Sequence, residues 1–209
     1  MPRKNPSGPN RAPQSTGRNA VRIVGGEWRG RLLRFPAVPG IRPTPDRVRE
    51  TLFNWLQQRV AGTRCLDLFA GSGALGLEAL SRGAAEVVFV DVEPAVTHYL
   101  VGQLRDFGCD RGRVVRADAA HYLDGPPQAF DLVFLDPPFD AAVLPDTCRR
   151  LEEGGWLAPG GYVYLECPAS AGEPELPAGW TLLRSKRAGE VGYHLARRDS
   201  TDTPGGSHG

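Results

Sequence analysis

From Arg64 onward the chain repeats one pattern, an apolar run followed by a stretch at helical spacing. The apolar runs are RCLDLFA, EVVFVDV, RVVRAD, AFDLVFLD and GYVYLEC. Helical segments start at Ala74 and Pro94, a short one follows Asp118, and another runs through Leu144–Glu152. Parallel strands need long crossovers, and the crossover helices shield the strands, so near-continuous apolar runs between helices predict a parallel sheet covered on both faces. The last two runs, WTLLRSK and VGYHLAR, are separated only by Arg187-Ala188-Gly189-Glu190. That gap is too short for a crossover and predicts a terminal antiparallel hairpin.

The end of the first strand carries Asp67-Leu68-Phe69-Ala70-Gly71-Ser72-Gly73-Ala74-Leu75-Gly76. Glycines directly after a strand let the backbone turn tightly and approach a ligand, and the next helix presents free N–H groups. Gly71, Gly73 and Gly76 satisfy G-x-G-x-x-G, and Asp91 lies 20 residues beyond Gly71, so a dinucleotide site has to be weighed. Asp67 shifts the balance, because a carboxylate there repels a pyrophosphate but suits the cationic amino group of S-adenosylmethionine. No G-K-[ST] follows, which excludes a P-loop. The expected cofactor contacts are Asp67, Phe69, Ala70, Gly71, Ser72 and Gly73, with Asp91 and Glu93 at the second strand end and Asp118 and Ala119 at the third. An acid at the Asp91 position can accept ribose hydroxyls; one at Asp118 can take an adenine amine or simply cap the short helix after it.

Asp136-Pro137-Pro138-Phe139 closes the fourth strand. Two prolines fix the backbone and present carbonyls without competing N–H donors. An exocyclic base amine is a poor nucleophile, since its lone pair is delocalised into the ring. The Asp136 carboxylate and the Pro137 carbonyl offer acceptors for its two hydrogens, and Phe139 offers a face for the base. Transfer to such an amine is governed mainly by positioning, without a metal or a covalent enzyme intermediate.

Charge is split along the chain. Residues 1–60 hold twelve Lys and Arg against three acids, a net of +9, and the remainder has thirteen against twenty-one, a net of −8. Of the 25 cations, 23 are arginine, the better bidentate phosphate ligand. A basic front end suggests that this part meets a polyanion. Arg22, Arg29, Arg31, Arg42 and Arg47 are the expected RNA phosphate contacts. VRIVGGEWRGRLLRFP reads as two short strands about Gly25-Gly26. RPTPDRVRETLFNWLQQ reads as a helix capped by Thr44, with Pro45 first inside it and Val48, Leu52, Trp55 and Leu56 forming its apolar stripe.

Other classes fall away. No run approaches the length of a membrane helix, and the first 20 residues carry no secretory apolar core, which favours the cytoplasm. Cysteines at 65, 109, 148 and 167 form no C-x-x-C pair, and the four histidines have no metal-like spacing, so no metal is expected. Residues 1–20 and 198–209 are Pro-, Gly- and Ser-rich and are expected to be disordered. The organisation expected is a basic leader (1–20), a basic RNA-binding β extension with its helix (21–60), a catalytic domain (61–197) and a tail (198–209). A monomer is expected.

RIVGGEWRGRLLRFP, GIRPTPDRVRETLFNWL, CLDLFAGSGALGLEALSRGA and DLVFLDPPF together resemble the bacterial 16S ribosomal RNA guanine-N2 methyltransferase RsmD family over about residues 21–197. The resemblance implies an α/β, class I S-adenosylmethionine-dependent, Rossmann-like fold with a C-terminal antiparallel hairpin. It also implies methyl transfer to the N2 of one guanine in the 16S rRNA of the small ribosomal subunit. Asp67, Gly71 and Gly73 then resemble the loop at the methionine end, Asp91 the ribose acid, and Asp136–Phe139 the target-base loop. In the VDVEP segment, whether Asp91 or Glu93 meets the ribose stays open. The competing readings are an adenine-N6 or other amino-directed DNA methyltransferase, and an assembly factor that holds the cofactor without turnover.

Overall fold

The computed structural model describes residues 19–38, 43–138 and 143–200. Arg42, Phe139, most of the leader and all but the first residues of the tail lie outside the described residues. A small antiparallel pair, β1 (Ala20–Arg22) and β2 (Leu32–Arg34), precedes helix α1 (Asp46–Leu56). The alternation expected from the apolar runs follows: β3 (Arg64–Asp67), α2 (Ala74–Ser81), β4 (Glu86–Asp91), α3 (Pro94–Asp106), β5 (Gly112–Arg116) and α4 (Ala119–Leu123). Then come β6 (Phe130–Leu135), α5 (Val143–Glu153), β7 (Leu157–Pro168), β8 (Trp180–Ala188) and β9 (Val191–Arg198).

The seven strands β3–β9 form one sheet in the order β5-β4-β3-β6-β7-β9-β8. Strands β3 to β7 pair in parallel, and β9 pairs antiparallel with both β7 and β8. The order reverses beside β3, since β4 lies on one flank and β6 on the other. Open α/β sheets form their ligand crevice at such a switch point, beyond the carboxyl ends of the strands.

Two apolar layers sandwich the sheet. Leu77, Phe89, Phe134 and Tyr164 face one, while Leu66, Val88, Val133 and Trp156 face the other. Leu66, Phe89 and Phe134 are fully buried, and each such side chain contributes about 1.5–3 kcal/mol by leaving water. Among the described residues no helix is long and apolar enough to cross a membrane.

The basic front segment shares this core through Val21, Ile23, Trp28, Leu33 and Phe35. Its backbone is tied to the end of α2: Glu27 N–H donates to the Ser81 carbonyl (2.7 Å), Trp28 N–H to Ser81 Oγ (2.9 Å), and Ser81 Oγ to the Gly25 carbonyl (2.6 Å). Gly26 is required there. Its φ is +77°, and a Cβ would stand 1.9 Å from the Ser81 carbonyl oxygen.

Helix α1 departs from expectation at both its start and its buried stripe. Pro45 occupies the cap position with no side-chain cap bond, and Thr44 stands one residue earlier. Thr44 is instead buried in the wall of the cleft that Asp136 also lines. Arg49 is buried beside the apolar stripe. It donates to Thr44 O (3.2 Å), Arg22 O (2.6 Å), Asp46 Oδ1 (2.5 Å) and Glu78 Oε2 (3.2 Å). Glu78, on α2 and also fully buried, accepts from Arg82 Nε (2.8 Å) and Val24 N–H (2.8 Å) as well. This network satisfies a buried charge that would otherwise be very costly, and it joins the hairpin, α1 and α2.

Candidate active site

A cleft of about 920 Å³ opens at the carboxyl ends of β3, β4, β5 and β6. It gathers Asp67, Phe69, Ala70, Gly71, Ser72, Asp91, Glu93, Asp118, Ala119, Asp136, Pro137 and Pro138. Of the expected cofactor residues, Gly73 alone is not in its lining. Gly73 sits at the head of α2 with φ +70°, and a Cβ there would stand 2.4 Å from Leu100, so its work is to turn the chain and admit a neighbour.

The loop between β3 and α2 is shaped by acids from the strand ends. Asp91 Oδ2 accepts from Gly71 N–H (2.8 Å) and its Oδ1 from Glu93 N–H (2.8 Å). Each Asp91 oxygen thus already takes one backbone donor. Glu93 is exposed on the rim, at the cap position of α3. Asp118 caps α4, its Oδ1 accepting from Ala120 N–H (2.9 Å) and His121 N–H (3.3 Å).

Asp67 ends β3 and is only 2% exposed. Its Oδ2 accepts from Gly76 N–H (3.0 Å), and Gly76 must be glycine because a Cβ would come within 2.3 Å of Phe89 and 3.0 Å of Asp67 Oδ2. Burial pushes the Asp67 carboxyl up to about 8, against the pull of the Gly76 N–H and with help from the Asp91 charge. Among the described residues no cation is paired with it. A buried carboxyl facing a cleft without a counter-ion suits a ligand that brings its own positive charge.

Asp136 follows β6 and is half-buried at the cleft wall. In the β6–β7 register Leu135 pairs with Leu165, which puts Asp136 beside Glu166. The two carboxyls are thus neighbours across the strand pair, and Thr44 lines the same cleft as Asp136. Tyr164 Oη donates to Glu166 Oε1 (2.6 Å). Burial, then the Glu166 charge, hold Asp136 well above the usual carboxylate range; burial likewise raises Glu166. Glu166 and Thr44 were not anticipated from the sequence. The signal was present in GYVYLEC, where Tyr162, Tyr164 and Glu166 alternate and an acid ends an apolar strand, as Asp67 and Asp91 do.

The proposed RNA contacts Arg22, Arg29, Arg31 and Arg47 are exposed, and among the described residues none is in a salt bridge. Arg22 Nη1 donates to the Gly30 carbonyl (2.6 Å), and the Arg31 guanidinium lies 4.3 Å from the Phe107 ring centre. Among the described residues no cluster of side chains could hold a metal ion.

A protein-family model described as conserved hypothetical protein 95 matches residues 21–197. The chain is 46% identical over 188 residues to ribosomal RNA small subunit methyltransferase D of Escherichia coli K12, covering 90% of this chain and 95% of that protein. It is 42% identical over 180 residues to the protein of the same name in Haemophilus influenzae, covering 84% and 92%. Among solved structures, the putative methyltransferase YhhF from Escherichia coli superposes with a TM-score of 0.82 at 44% identity, covering 87% of this chain and 99% of that one.

Proposed function

We propose, from the premise that this chain belongs to the conserved hypothetical protein 95 family, the RsmD family, that it methylates 16S rRNA of the small ribosomal subunit at the N2 of one guanine. The observation that carries the reading is the pairing of Asp67 and Asp136 across one cleft. The first is a buried carboxyl without a counter-ion, and the second is an acceptor held by a rigid Pro-Pro turn.

The residues fit S-adenosylmethionine. Asp67 takes the ammonium of its methionine end, the Phe69–Ser72 turn lies along the cleft floor, Asp91 and Glu93 offer acceptors for ribose hydroxyls, and Asp118 and Ala119 border the adenine. When bound, this cofactor supplies a methyl group on a positively charged sulfur that departs as a neutral thioether. The chain itself contributes orientation. Asp136 and the Pro137 carbonyl accept the two hydrogens of the target amine, which turns its lone pair outward from the ring, and Phe139 offers the base a stacking face. No general acid is needed, because the leaving sulfur is neutral. The basic segment, with Arg22, Arg29, Arg31, Arg42 and Arg47, grips phosphates and leaves the choice of base to the pocket and to subunit shape.

Incubation of the protein with labelled S-adenosylmethionine and undermethylated small subunits, followed by mapping of the modified base, tests this. Label on a guanine N2 is expected, and Asp136→Ala is expected to lower the rate by about a hundredfold or more while cofactor binding persists. Label on duplex DNA and none on subunits would overturn the rRNA reading in favour of an amino-directed DNA methyltransferase.

A further inference from the structure

Behind Asp136, away from the cleft lining, lies an acid that the reading above leaves without work. Glu166 is 5% exposed on β7. Four elements pack groups around it. Asp136 comes from the end of β6, and Thr44 from the segment before α1. Tyr193 stands opposite on β9, and Tyr164 donates from two residues back on β7 itself. Asp67 on β3 completes the acidic surroundings by acting on Asp136, and Cys167 follows Glu166 along the strand. Among the described residues no Lys, Arg or His forms a salt bridge with Asp136 or Glu166.

Two carboxyls set side by side by the β6–β7 register, one of them buried and with no cation between them, repel unless they hold a proton. One shared proton resolves the contact and has a directional consequence. It ties one oxygen of Asp136 to Glu166 and leaves the other free as an acceptor. Tyr164 holds Glu166 from its other side, so the orientation is fixed before a base arrives, as catalytic preorganisation requires.

We infer that Glu166 is a positioning residue for methyl transfer: it shares one proton with Asp136 and so turns the free Asp136 oxygen toward the target amine. The inference rests on the methyltransferase reading and extends it to how the acceptor is set. Each transfer would form one C–N bond as the methyl–sulfur bond of the sulfonium breaks, its electron pair staying on sulfur, and would leave the nitrogen with one proton more than the product keeps. The free oxygen of Asp136 takes that proton. The pair then holds two, and it returns to one by releasing a proton to water through the cleft.

The test compares Glu166→Gln, Glu166→Ala and Tyr164→Phe with the wild-type full chain on undermethylated small subunits, across pH. The Glu166→Gln side chain still donates to Asp136 but has no proton that the pair can lose at high pH. Activity of that variant is expected to persist, with the alkaline limb that loss of the shared proton gives kcat removed, the acidic limb little moved, and KM for the cofactor within about twofold. Glu166→Ala is expected to lose about tenfold or more in kcat, and Tyr164→Phe less. A second readout needs no RNA: the wild-type-minus-E166Q infrared difference spectrum is expected to carry one protonated-carboxyl band at neutral pH. A pH profile of E166Q that overlays the wild type, or the absence of that band, overturns the inference. Because the band is read on free protein, failure of the inference is distinguishable from failure of the rRNA reading, which would show as an inactive wild type.

Discussion

Replacing Asp67 by asparagine isolates the charge that the cleft offers to a cationic ligand. The carboxyl sits at about 8 in the free protein, raised by burial. Binding an ammonium group requires the ionised form, so the protein must lose that proton first. At about pH 6 the group is two units below its midpoint, and the deficit is about 2.7 kcal/mol, or about a hundredfold in affinity. The α-amino group of the ligand loses its own proton only on the alkaline side, so affinity is expected to rise as pH increases through about 8 and to fall once that group is neutral. The D67N side chain keeps an oxygen for the Gly76 N–H but cannot ionise. Its profile should lose the acidic limb, keep the alkaline one, and lie about tenfold to a hundredfold weaker at the maximum, the worth of a charge-assisted hydrogen bond.

Stability moves the other way. A carboxyl raised in the folded state favours its neutral form, so its contribution is fully present below the unfolded value of 3.8 and is lost as pH rises through about 8. The ligand-free D67N protein should therefore melt higher, by an upper limit of about 6 kcal/mol at and above pH 8. Calorimetric titration with S-adenosylhomocysteine, in two buffers of different ionisation enthalpy, reads affinity and proton release together. Wild-type affinity that is flat between about pH 6 and 8, or an acidic limb that survives in D67N, would refute the reasoning.

Further outcomes can be measured with the same protein. Arg49→Met leaves buried Glu78 with Arg82 as its one remaining cation among the described residues and is expected to cost up to about 3–5 kcal/mol by urea unfolding, while adding Glu78→Gln should restore part of that loss. Gly76→Ala forces a methyl against Phe89 and Asp67; about 1–3 kcal/mol of stability and most cofactor affinity should go, read by thermal shift with and without ligand. Neutralising Arg29 and Arg31 together should lower the steepness of log binding constant against log salt by about 1.4–1.8 on small-subunit RNA, with cofactor affinity unchanged.

The sheet was legible because its signals are local. Apolar runs such as EVVFVDV and the four-residue gap between WTLLRSK and VGYHLAR have one easy solution each, and the structure adopts it. The glycine loop and the strand-end acids were legible for the same reason, since a strand followed by Gly-x-Gly has to turn where a ligand can sit. What stayed hidden depends on partners distant in sequence. Thr44 looks like a cap until β6 and β7 bring two carboxyls to it. Arg49 reads as another solvated arginine until Glu78, 29 residues away, meets it in the interior. Glu166 is inconspicuous until the β6–β7 register sets it beside Asp136. Residue type alone does not reveal a buried polar group whose solvation comes from another strand.

The ties between the Gly25–Trp28 segment and Ser81 also fix an order of events during synthesis. The hairpin and α1 leave the ribosome before α2, yet the carbonyl, hydroxyl and carboxylate that receive the hairpin's backbone lie on residues 78–81. Until α2 has emerged and rested on β3, residues 1–60, with their net charge of +9, lack the anchors that Glu78 and Ser81 supply. The hairpin and α1 are therefore seated only after the later-made α2, and the speed of that docking sets how long their cationic surface spends beside the RNA of the machine that makes it.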